Sequence, residues 1–198
     1  MFSVVVQAGG QSRRMGRDKA TLPFKGEPLI QRVIRRVQGI AGELFVTTNR
    51  PEDYAFLGVP LVPDVVSGSG TLVGLCTALT AAHGEFVAVV ACDMPFVSAD
   101  LLSAERDLLE EEQVDAVLPR SEQGLEPLHA VYRRLPCLEA VQRALLAGET
   151  QAISWLPWVR AREMSVEEIR RYDPLQLAFL NINTPDEWQR AELLAGGD

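Results

Sequence analysis

Residues 2–19 read FSVVVQAGGQSRRMGRDK, an apolar run followed by a glycine-rich basic segment. The apolar part has the length and the β-branched content of a buried strand. The basic part holds three glycines, three arginines and a lysine against the single acid Asp18. A buried strand that runs into such a loop is typical of an α/β protein that binds an anion at the edge of its sheet. A basic loop exposed to solvent would give the same charge pattern, so charge alone does not decide between the two.

Four further apolar runs, bounded by turn-forming residues, predict additional buried strands. They are LFVTT at residues 44–48, PLVP at 60–63, FVAVVA at 86–91 and DAVLP at 115–119. Helical spacing separates these runs, most clearly in PLIQRVIRRVQGI, and a serine is placed to cap the helix that begins near residue 98. Strands that alternate with helices in this way predict an α/β fold, with a mostly parallel sheet covered by helices on both faces.

The alternation of strands and helices weakens after residue 120. Four segments are expected there: an extended piece at residues 126–134, a helix at 137–147, a return strand at 155–164 and a closing helix at 183–195. Part of this half is therefore expected to pair antiparallel in the sheet. The chain has no internal repeat and no clear linker, so we expect one domain over residues 1–198.

The overall charge excludes several classes of partner. The chain of 198 residues has a formal net charge of −8, which argues against binding to nucleic acid backbones or acidic membranes. No apolar stretch approaches the roughly 18 residues of a membrane helix, and no secretory signal opens the sequence. We therefore expect a cytoplasmic protein with neither a nucleic acid nor a membrane partner, in which any anion site is local.

The common nucleophilic and metal-binding constellations are missing from the sequence. The three cysteines are widely spaced and odd in number, so neither a disulfide framework nor a Cys-x-x-Cys metal site is indicated. His83 and His129 lie far apart in the chain, and both are expected to be structural. The three tryptophans are expected in the core rather than in a base-stacking platform. The sequence therefore singles out no side chain as a nucleophile.

Polar residues follow the ends of the predicted strands. Asn49 ends the second strand, Asp64 the third and Asp93 the fourth. Ligands of open parallel sheets bind at this edge, beyond the carboxyl ends of the strands. Asp93 is the sharpest case, because a carboxylate at the mouth of a central strand needs a cation or a donor to meet its charge. We expect it to hold a divalent metal; the alternative is that it caps the following helix.

The loop after the first strand has the physical parts of a phosphate site without matching a standard motif. It is neither a Walker A sequence nor the G-x-G-x-x-G fingerprint. Gly9 and Gly10 let the backbone approach a ligand closely, so that successive amides can point at phosphate oxygens. Arg14 and Lys19 are the residues expected to neutralise a polyphosphate.

Five stretches together carry a family resemblance over essentially the whole chain. AGGQSRRMGRDKATL, PDVVSGSGTLVG, CDMPF, EPLHAVY and NINTPDE, in this order, resemble the molybdenum cofactor guanylyltransferases. The resemblance implies a three-layer Rossmann-like nucleotidyltransferase fold and dependence on Mg²⁺. It also implies transfer of GMP from GTP to the terminal phosphate of molybdopterin, with release of pyrophosphate. Transient contact with cofactor-delivery proteins or with acceptor molybdoenzymes is expected on the same ground.

The resemblance assigns roles to particular residues. Arg14, Lys19 and Asp93 are implied as catalytic, with Asp93 as the metal ligand, and Asn181 and Asn183 as the residues that face the pterin acceptor. The nucleotide is implied to contact Gln7, Ala8, Gly9, Gly10, Lys19, Asn49, Asp64, Gly70 and Asp93. The nucleotide-binding part then spans about residues 1–115, and the acceptor-binding part about 116–198.

Two departures from the family pattern and three rival functions remain at this point. The family usually has Leu where this chain has Gln7, and Pro where it has Thr71. One rival is a cytidylyltransferase for the same cofactor, although Ala8, Gly9 and Gly10 favour GTP, since cytidylyl relatives usually carry Ala-Ala-Gly there. The second is a sugar-phosphate nucleotidyltransferase. A non-catalytic nucleotide-binding protein is the third, and it has less need for a lysine and a metal-binding acid together.

Overall fold

The structure is a computed structural model that describes residues 1–9, 18–66, 68 and 70–197. The predictions made for Gly10 and Arg14 lie outside these described residues.

One large mixed sheet forms the centre of the described molecule. Its strand order is β10-β7-β9-β6-β1-β4-β5, with β8 paired to β7, and β2 and β3 form a separate hairpin. The strands are β1 Phe2–Gln7, β2 Pro23–Phe24, β3 Glu27–Pro28, β4 Glu43–Thr47, β5 Leu61–Val62, β6 Phe86–Ala91, β7 Ala116–Ser121, β8 Gly124–Leu125, β9 His129–Arg133 and β10 Ala161–Met164.

The directions of the strands confirm a mostly parallel sheet with antiparallel pairing in the C-terminal half. Strand β1 pairs in parallel with β4 and β6, and β4 pairs in parallel with β5. Strand β9 runs antiparallel to both of its neighbours, β6 and β7. The ends of β1, β4, β5 and β6 therefore meet at one edge of the sheet.

Helices cover both faces of the sheet, so the fold has the three layers of an α/β protein. The α-helices are α1 Leu29–Val37, α2 Pro51–Tyr54, α3 Thr71–Ala81, α4 Ala99–Glu111, α5 Arg134–Leu146, α6 Val166–Ile169 and α7 Pro185–Leu194. Short 3-10 helices cover Lys19–Thr21, Gln38–Ile40, Ala55–Leu57, Leu156–Trp158 and Ala195–Gly197.

The alternating side chains of the central strands divide the core into two layers. Val4 and Val6 of β1 pack with α1 and α4 on one face, whereas Val5 packs with α3 and α5 on the other. A third, smaller cluster joins α7 to the hairpin of β2 and β3 through Phe24, Ile182 and Ala191. The closing helix is thereby held against the hairpin of β2 and β3.

Ser98 and Thr184 form the helix caps that the sequence predicts. The Ser98 hydroxyl accepts a hydrogen bond from the Leu101 amide at the start of α4. Thr184 and Glu187 form a reciprocal capping box at the start of α7. Both helices therefore begin where their sequence signals place them.

The expected return strand over residues 155–164 is wrong in its first half. Only Ala161–Met164 is a strand, and it pairs in parallel with β7. Trp155 is instead fully buried against Tyr132, and a 3-10 turn containing Pro157 follows it. Because Trp155 is buried and Pro157 has no backbone N–H to donate, this part of the chain forms a turn instead of an extended strand. Trp158 is partly exposed, which contradicts its expected place in the core.

Across the described ranges, no helix has both the length and the apolar character needed to cross a bilayer.

Candidate functional site

The ends of three neighbouring strands are held in register by backbone hydrogen bonds. The Ala8 amide donates to the Thr47 carbonyl at 2.9 Å, and the Cys92 amide donates to the Gln7 carbonyl at 3.2 Å. Ala8 is buried and Gly9 is exposed, so the chain emerges into solvent at this point. The strand that leads to Asp93 and the strand that leads to the glycine loop therefore deliver their next residues to the same edge.

Lys19 connects three segments that are distant in sequence. Its Nζ atom lies 2.5 Å from Oδ2 of Asp93 and 2.7 Å from Oδ1 of Asn183. The side chains of Lys19 and Asp93 are each about one-seventh exposed, at 14%. The contact with Lys19 supplies the cation that a carboxylate at the mouth of β6 requires. Because Ser98 caps α4, the alternative role of Asp93 as a helix cap is wrong.

The backbone that carries Lys19 is fixed by Asp18. One oxygen of the Asp18 carboxylate accepts from the Ala20 amide at 3.1 Å, which caps the short 3-10 helix. The other oxygen accepts from the Tyr54 hydroxyl and from Arg50. Burial, more than any other cause, raises the pKa of Tyr54, so that its hydroxyl stays protonated and donates. Asp18 therefore orients the short helix that begins at Lys19.

Asn183 is held by the first turn of α7. Its amide donates to Oε2 of Glu187 at 2.6 Å, and the Thr184 amide donates to the same oxygen. The bond from the Asn183 amide is the largest cause that lowers the pKa of Glu187. The preceding Ile182 amide donates to the backbone carbonyl of Asp93 at 3.1 Å. The loop before α7 is thus tied directly to the end of β6.

A second polar cluster lies at the ends of β4 and β5. Asn49 and Asp64 are paired reciprocally: Nδ2 of Asn49 donates to Oδ2 of Asp64 at 2.6 Å, and the Asp64 amide donates to Oδ1 of Asn49 at 2.9 Å. The hydroxyl of Thr77 on α3 donates to Oδ1 of Asp64 at 3.2 Å. Gly70, with φ at 118°, precedes α3 in a conformation that favours glycine. These contacts join two of the residues assigned to the nucleotide, Asn49 and Asp64, and Gly70 precedes the helix that carries Thr77.

The side chain of Gln7 is buried between β1 and α3. A Cβ atom on Gly74 would lie 1.7 Å from Nε2 of Gln7, so the glycine makes room for the amide. Oε1 of Gln7 and Oγ1 of Thr47, its neighbour in the sheet, are buried and lack hydrogen-bond partners within the described part of the chain. Gln7 therefore adds a buried amide beside the buried hydroxyl of Thr47.

A groove of about 600 Å³ lies beside Asn183. It is lined on one side by the segment between β7 and β9, including Glu126, and on the other by the segment before α7, including Asn181, and by Arg190 of α7 itself. Nδ2 of Asn181 donates to the backbone carbonyl of Phe179 at 3.2 Å, so its side chain also shapes this segment. The two asparagines assigned to the acceptor both line this groove.

The residues at the sheet edge suit a magnesium ion that is shared with a substrate. Among the described residues, no group of three His, Cys, Asp or Glu side chains could hold a metal by itself. Mg²⁺ usually binds through one or two carboxylates together with substrate phosphates and water. Asp93 provides one carboxylate beside a cationic side chain, which fits this kind of site. It does not fit a metal cage made by protein ligands alone.

Three contributors to the site were missed in the sequence. Tyr54 and Arg50 act through Asp18, and Thr77 acts through Asp64. Thr77 follows the Gly-Ser-Gly segment by seven residues on the helix, and a hydroxyl on the first two turns could have been suspected there. Tyr54 and Arg50 have no comparable signal, because their role depends on the place of α2 beside the first loop.

Comparisons with known proteins give a consistent result. A model of the MobA-like NTP transferase domain matches residues 4–161. The chain is 37% identical to a probable molybdenum cofactor guanylyltransferase of Pelotomaculum thermopropionicum, over 96% of this chain and 92% of that one. It is 34% identical to the molybdenum cofactor guanylyltransferase of Desulfosudis oleivorans, over 95% and 93%. The crystal structure of molybdopterin-guanine dinucleotide biosynthesis protein A from Archaeoglobus fulgidus has a TM-score of 0.86 and 28% identity, and covers 99% of this chain and 100% of that chain.

Proposed function

The chain belongs to the molybdenum cofactor guanylyltransferase family, and on that premise we propose that it transfers GMP from GTP to the terminal phosphate of molybdopterin and releases pyrophosphate. The observation that carries this proposal is the position of Lys19. Its ammonium group contacts both Asp93, at the end of a central strand, and Asn183, at the edge of the groove. This position supports the proposal that Lys19 acts where the nucleotide phosphates and the acceptor phosphate meet.

The proposed reaction needs no side-chain base. An oxygen of the acceptor phosphate attacks the α-phosphorus of GTP and forms a new bond to it. The bond from that phosphorus to the bridging oxygen of the β-phosphate breaks, and its electron pair leaves with pyrophosphate. Because the nucleophile is already an anion, the protein's work is to position the reactants and to neutralise their charge.

Lys19 and the amides around Gly9 are proposed to bind the triphosphate. The ammonium group stabilises the negative charge that grows on the departing pyrophosphate. Arg14 is proposed to assist from the basic segment. The backbone of Gln7, Ala8 and Gly10 would contact the base and its nucleotide at the exit of β1.

Asp93 is the residue proposed to hold Mg²⁺. When bound, the ion would offset charge on the phosphoryl oxygens. The contact between Asp93 and Lys19 supports this assignment, since it places a carboxylate and an ammonium group at one point of the sheet edge.

Asn49, Asp64 and Gly70 are proposed to hold the nucleoside. Asn49 and Asp64 fix each other by two hydrogen bonds, so the donors and acceptors that these two bonds do not use are held in defined directions. A paired, oriented set of donors and acceptors of this kind suits the hydroxyls of a ribose.

Asn181 and Asn183 are proposed to face the pterin, in the groove beside α7. We propose a matching division of one domain, in which about residues 1–115 would bind the nucleotide and about 116–198 the acceptor. GTP is an intracellular nucleotide, so we propose that the reaction takes place in the cytoplasm. Transient contact with a protein that delivers the acceptor, or with a molybdoenzyme that receives the product, belongs to the same proposal.

A nucleotide panel tests the proposal. Purified protein is incubated with Mg²⁺, molybdopterin and each nucleoside triphosphate in turn, and pyrophosphate is measured. We expect release with GTP, and none when molybdopterin or Mg²⁺ is omitted. A sugar phosphate in place of molybdopterin serves as the second control. Release with CTP rather than GTP, or with the sugar phosphate, would reject the guanylyl assignment.

A further inference from the structure

A polar pair is buried between α4 and β9. Glu105 of α4 and His129 of β9 are both 0% exposed, and Oε1 of the carboxyl lies 3.1 Å from Nδ1 of the imidazole. The proposed chemistry uses neither residue. Oε2 of Glu105 has no hydrogen-bond partner within the described ranges.

The tautomer of His129 follows from the partners of its two ring nitrogens. The Ser98 amide points at Nε2 of His129 at 3.3 Å, so this nitrogen accepts. The ring proton is therefore on Nδ1 and is donated to Glu105. Because Ser98 caps α4 and Glu105 lies two turns along the same helix, one helix holds the imidazole at both nitrogens.

His129 contacts the segment that carries the acceptor residues. Its ring packs edge-on against Phe179, with centroids 5.2 Å apart and planes at 77°. Phe179 is 5% exposed and begins residues 179–183, which we call the acceptor loop. Further along this loop, the Ile182 amide donates to the Asp93 carbonyl, and the Asn183 side chain accepts from Lys19.

His129 also lies beside the end of β6. It pairs with Val90, and the Ala91 amide donates to the carbonyl of the preceding Leu128 at 3.1 Å. The next residues of β6 lead to Asp93. The imidazole is therefore fixed to the strand that bears the proposed metal ligand and touches the loop that bears the acceptor ligand.

The stability of the fold does not explain a pair of this kind. A buried carboxyl group with one unpaired oxygen is costly, and apolar side chains of similar volume are often as stable as a buried ionisable pair. A bonded imidazole can, however, adopt only one orientation. A leucine at the same place would leave the ring of Phe179 free to shift.

We propose that Glu105 and His129 are positioning residues, which lock the acceptor loop against the end of β6 so that Asn183 meets the acceptor beside Lys19. This inference rests on the proposed function for its catalytic consequence. Its structural consequence can be measured separately.

The test uses His129→Leu, Glu105→Leu and the double variant, with Leu109→Ala as the control. Leu109 lies on α4 one turn beyond Glu105 and is fully buried, so this change lowers stability while both members of the polar pair are kept. Three quantities are measured: the melting temperature, hydrogen exchange of the Ile182 amide, and kcat/KM for molybdopterin alongside the Kd for GTP.

We expect each single variant to melt at a lower temperature, and the double variant to recover part of that loss because no polar partner is left unpaired. In all three variants we expect exchange of the Ile182 amide to be about tenfold faster or more. We also expect kcat/KM for molybdopterin to fall about tenfold or more while the Kd for GTP stays within about twofold. Leu109→Ala should change only the melting temperature.

Wild-type exchange and wild-type kcat/KM for molybdopterin in the double variant would overturn the inference, as would an equal loss in Leu109→Ala. A parallel loss of GTP affinity would also overturn it. If the wild type itself shows no turnover with GTP and molybdopterin, the proposed function fails. The exchange of Ile182 then still decides whether the pair positions the loop.

Discussion

Lys19 and Asp93 are 74 positions apart in the chain, yet Nζ of the lysine lies 2.5 Å from Oδ2 of the aspartate. The sheet produces this contact, because β1 and β6 are parallel neighbours whose ends lie side by side. The segment after β1 carries the lysine and the segment after β6 carries the acid. The pair therefore joins the two adjacent loops where a triphosphate and its metal are proposed to bind.

Replacing Asp93 by Asn should lower turnover by about 10²-fold or more, since it removes the only negative charge that the proposal assigns to the metal. The side chain keeps its size, so the melting temperature should change little. Pyrophosphate release at saturating GTP and Mg²⁺ is the measurement. Asp107→Asn, an exposed change on α4, is the matched control and should behave as the wild type. Near-normal turnover in Asp93→Asn would exclude the assigned role.

Replacing Asn183 by Ala should weaken the use of molybdopterin while GTP binding stays nearly unchanged. The change removes an acceptor for Lys19 and a lining group of the groove, but no group assigned to the nucleotide. We expect kcat/KM for molybdopterin to fall about tenfold or more, corresponding to one lost hydrogen bond to a charged group. Calorimetry gives the GTP affinity. Gln189→Ala, exposed on α7, is the control, and equal losses for both substrates would show that the assignment is wrong.

Gly74→Ala should destabilise the protein by about 1–3 kcal/mol, because the new methyl group would overlap the buried amide of Gln7. In a Gln7→Ala background the same change should instead stabilise by about 0.5–1 kcal/mol, the usual gain for alanine over glycine within a helix. Urea unfolding of the four proteins measures both effects. A loss of equal size in the two backgrounds would mean that Gln7 does not occupy this space.

Stability should depend on pH through Glu105. The pKa of Glu105 is raised to about 7 in the folded protein, from 4.5 when unfolded, and burial is the largest cause of this shift. Below pH 4.5 both states hold the proton and the stabilisation is complete. Between pH 4.5 and 7 the unfolded state has released the proton while the folded state still holds it, so the stabilisation falls with rising pH and is lost once the pH passes 7. The shift corresponds to about 3 kcal/mol. The difference in free energy of unfolding between wild type and Glu105→Gln should therefore fall between pH 5 and 8, and a constant difference would contradict this.

The sequence predicts the sheet edge well, because strand ends and polar residues are local signals. Asn49 and Asp64 each follow an apolar run, and a parallel sheet brings such ends together. Their reciprocal pairing agrees with that expectation. The start of α4 at Ser98 is also a local signal, since it depends on one hydroxyl and the next three amides.

Contacts between distant elements could not be predicted in the same way. Glu105 was not singled out in the sequence, yet it falls on the stripe of Leu101, Leu102 and Leu109 and is fully buried. That spacing was a usable signal, because it follows the helical period. The contact of Lys19 with Asn183 spans 164 positions and depends on how α7 packs, for which no local pattern exists.

A crystal structure with GTP and Mg²⁺ tests the central claim most directly. We predict the triphosphate at the edge formed by β1 and β6, with the ammonium group of Lys19 on its oxygens. The ion should lie about 2.0–2.1 Å from a carboxylate oxygen of Asp93. A nucleotide bound elsewhere, with Asp93 directed away from the metal, would contradict the account.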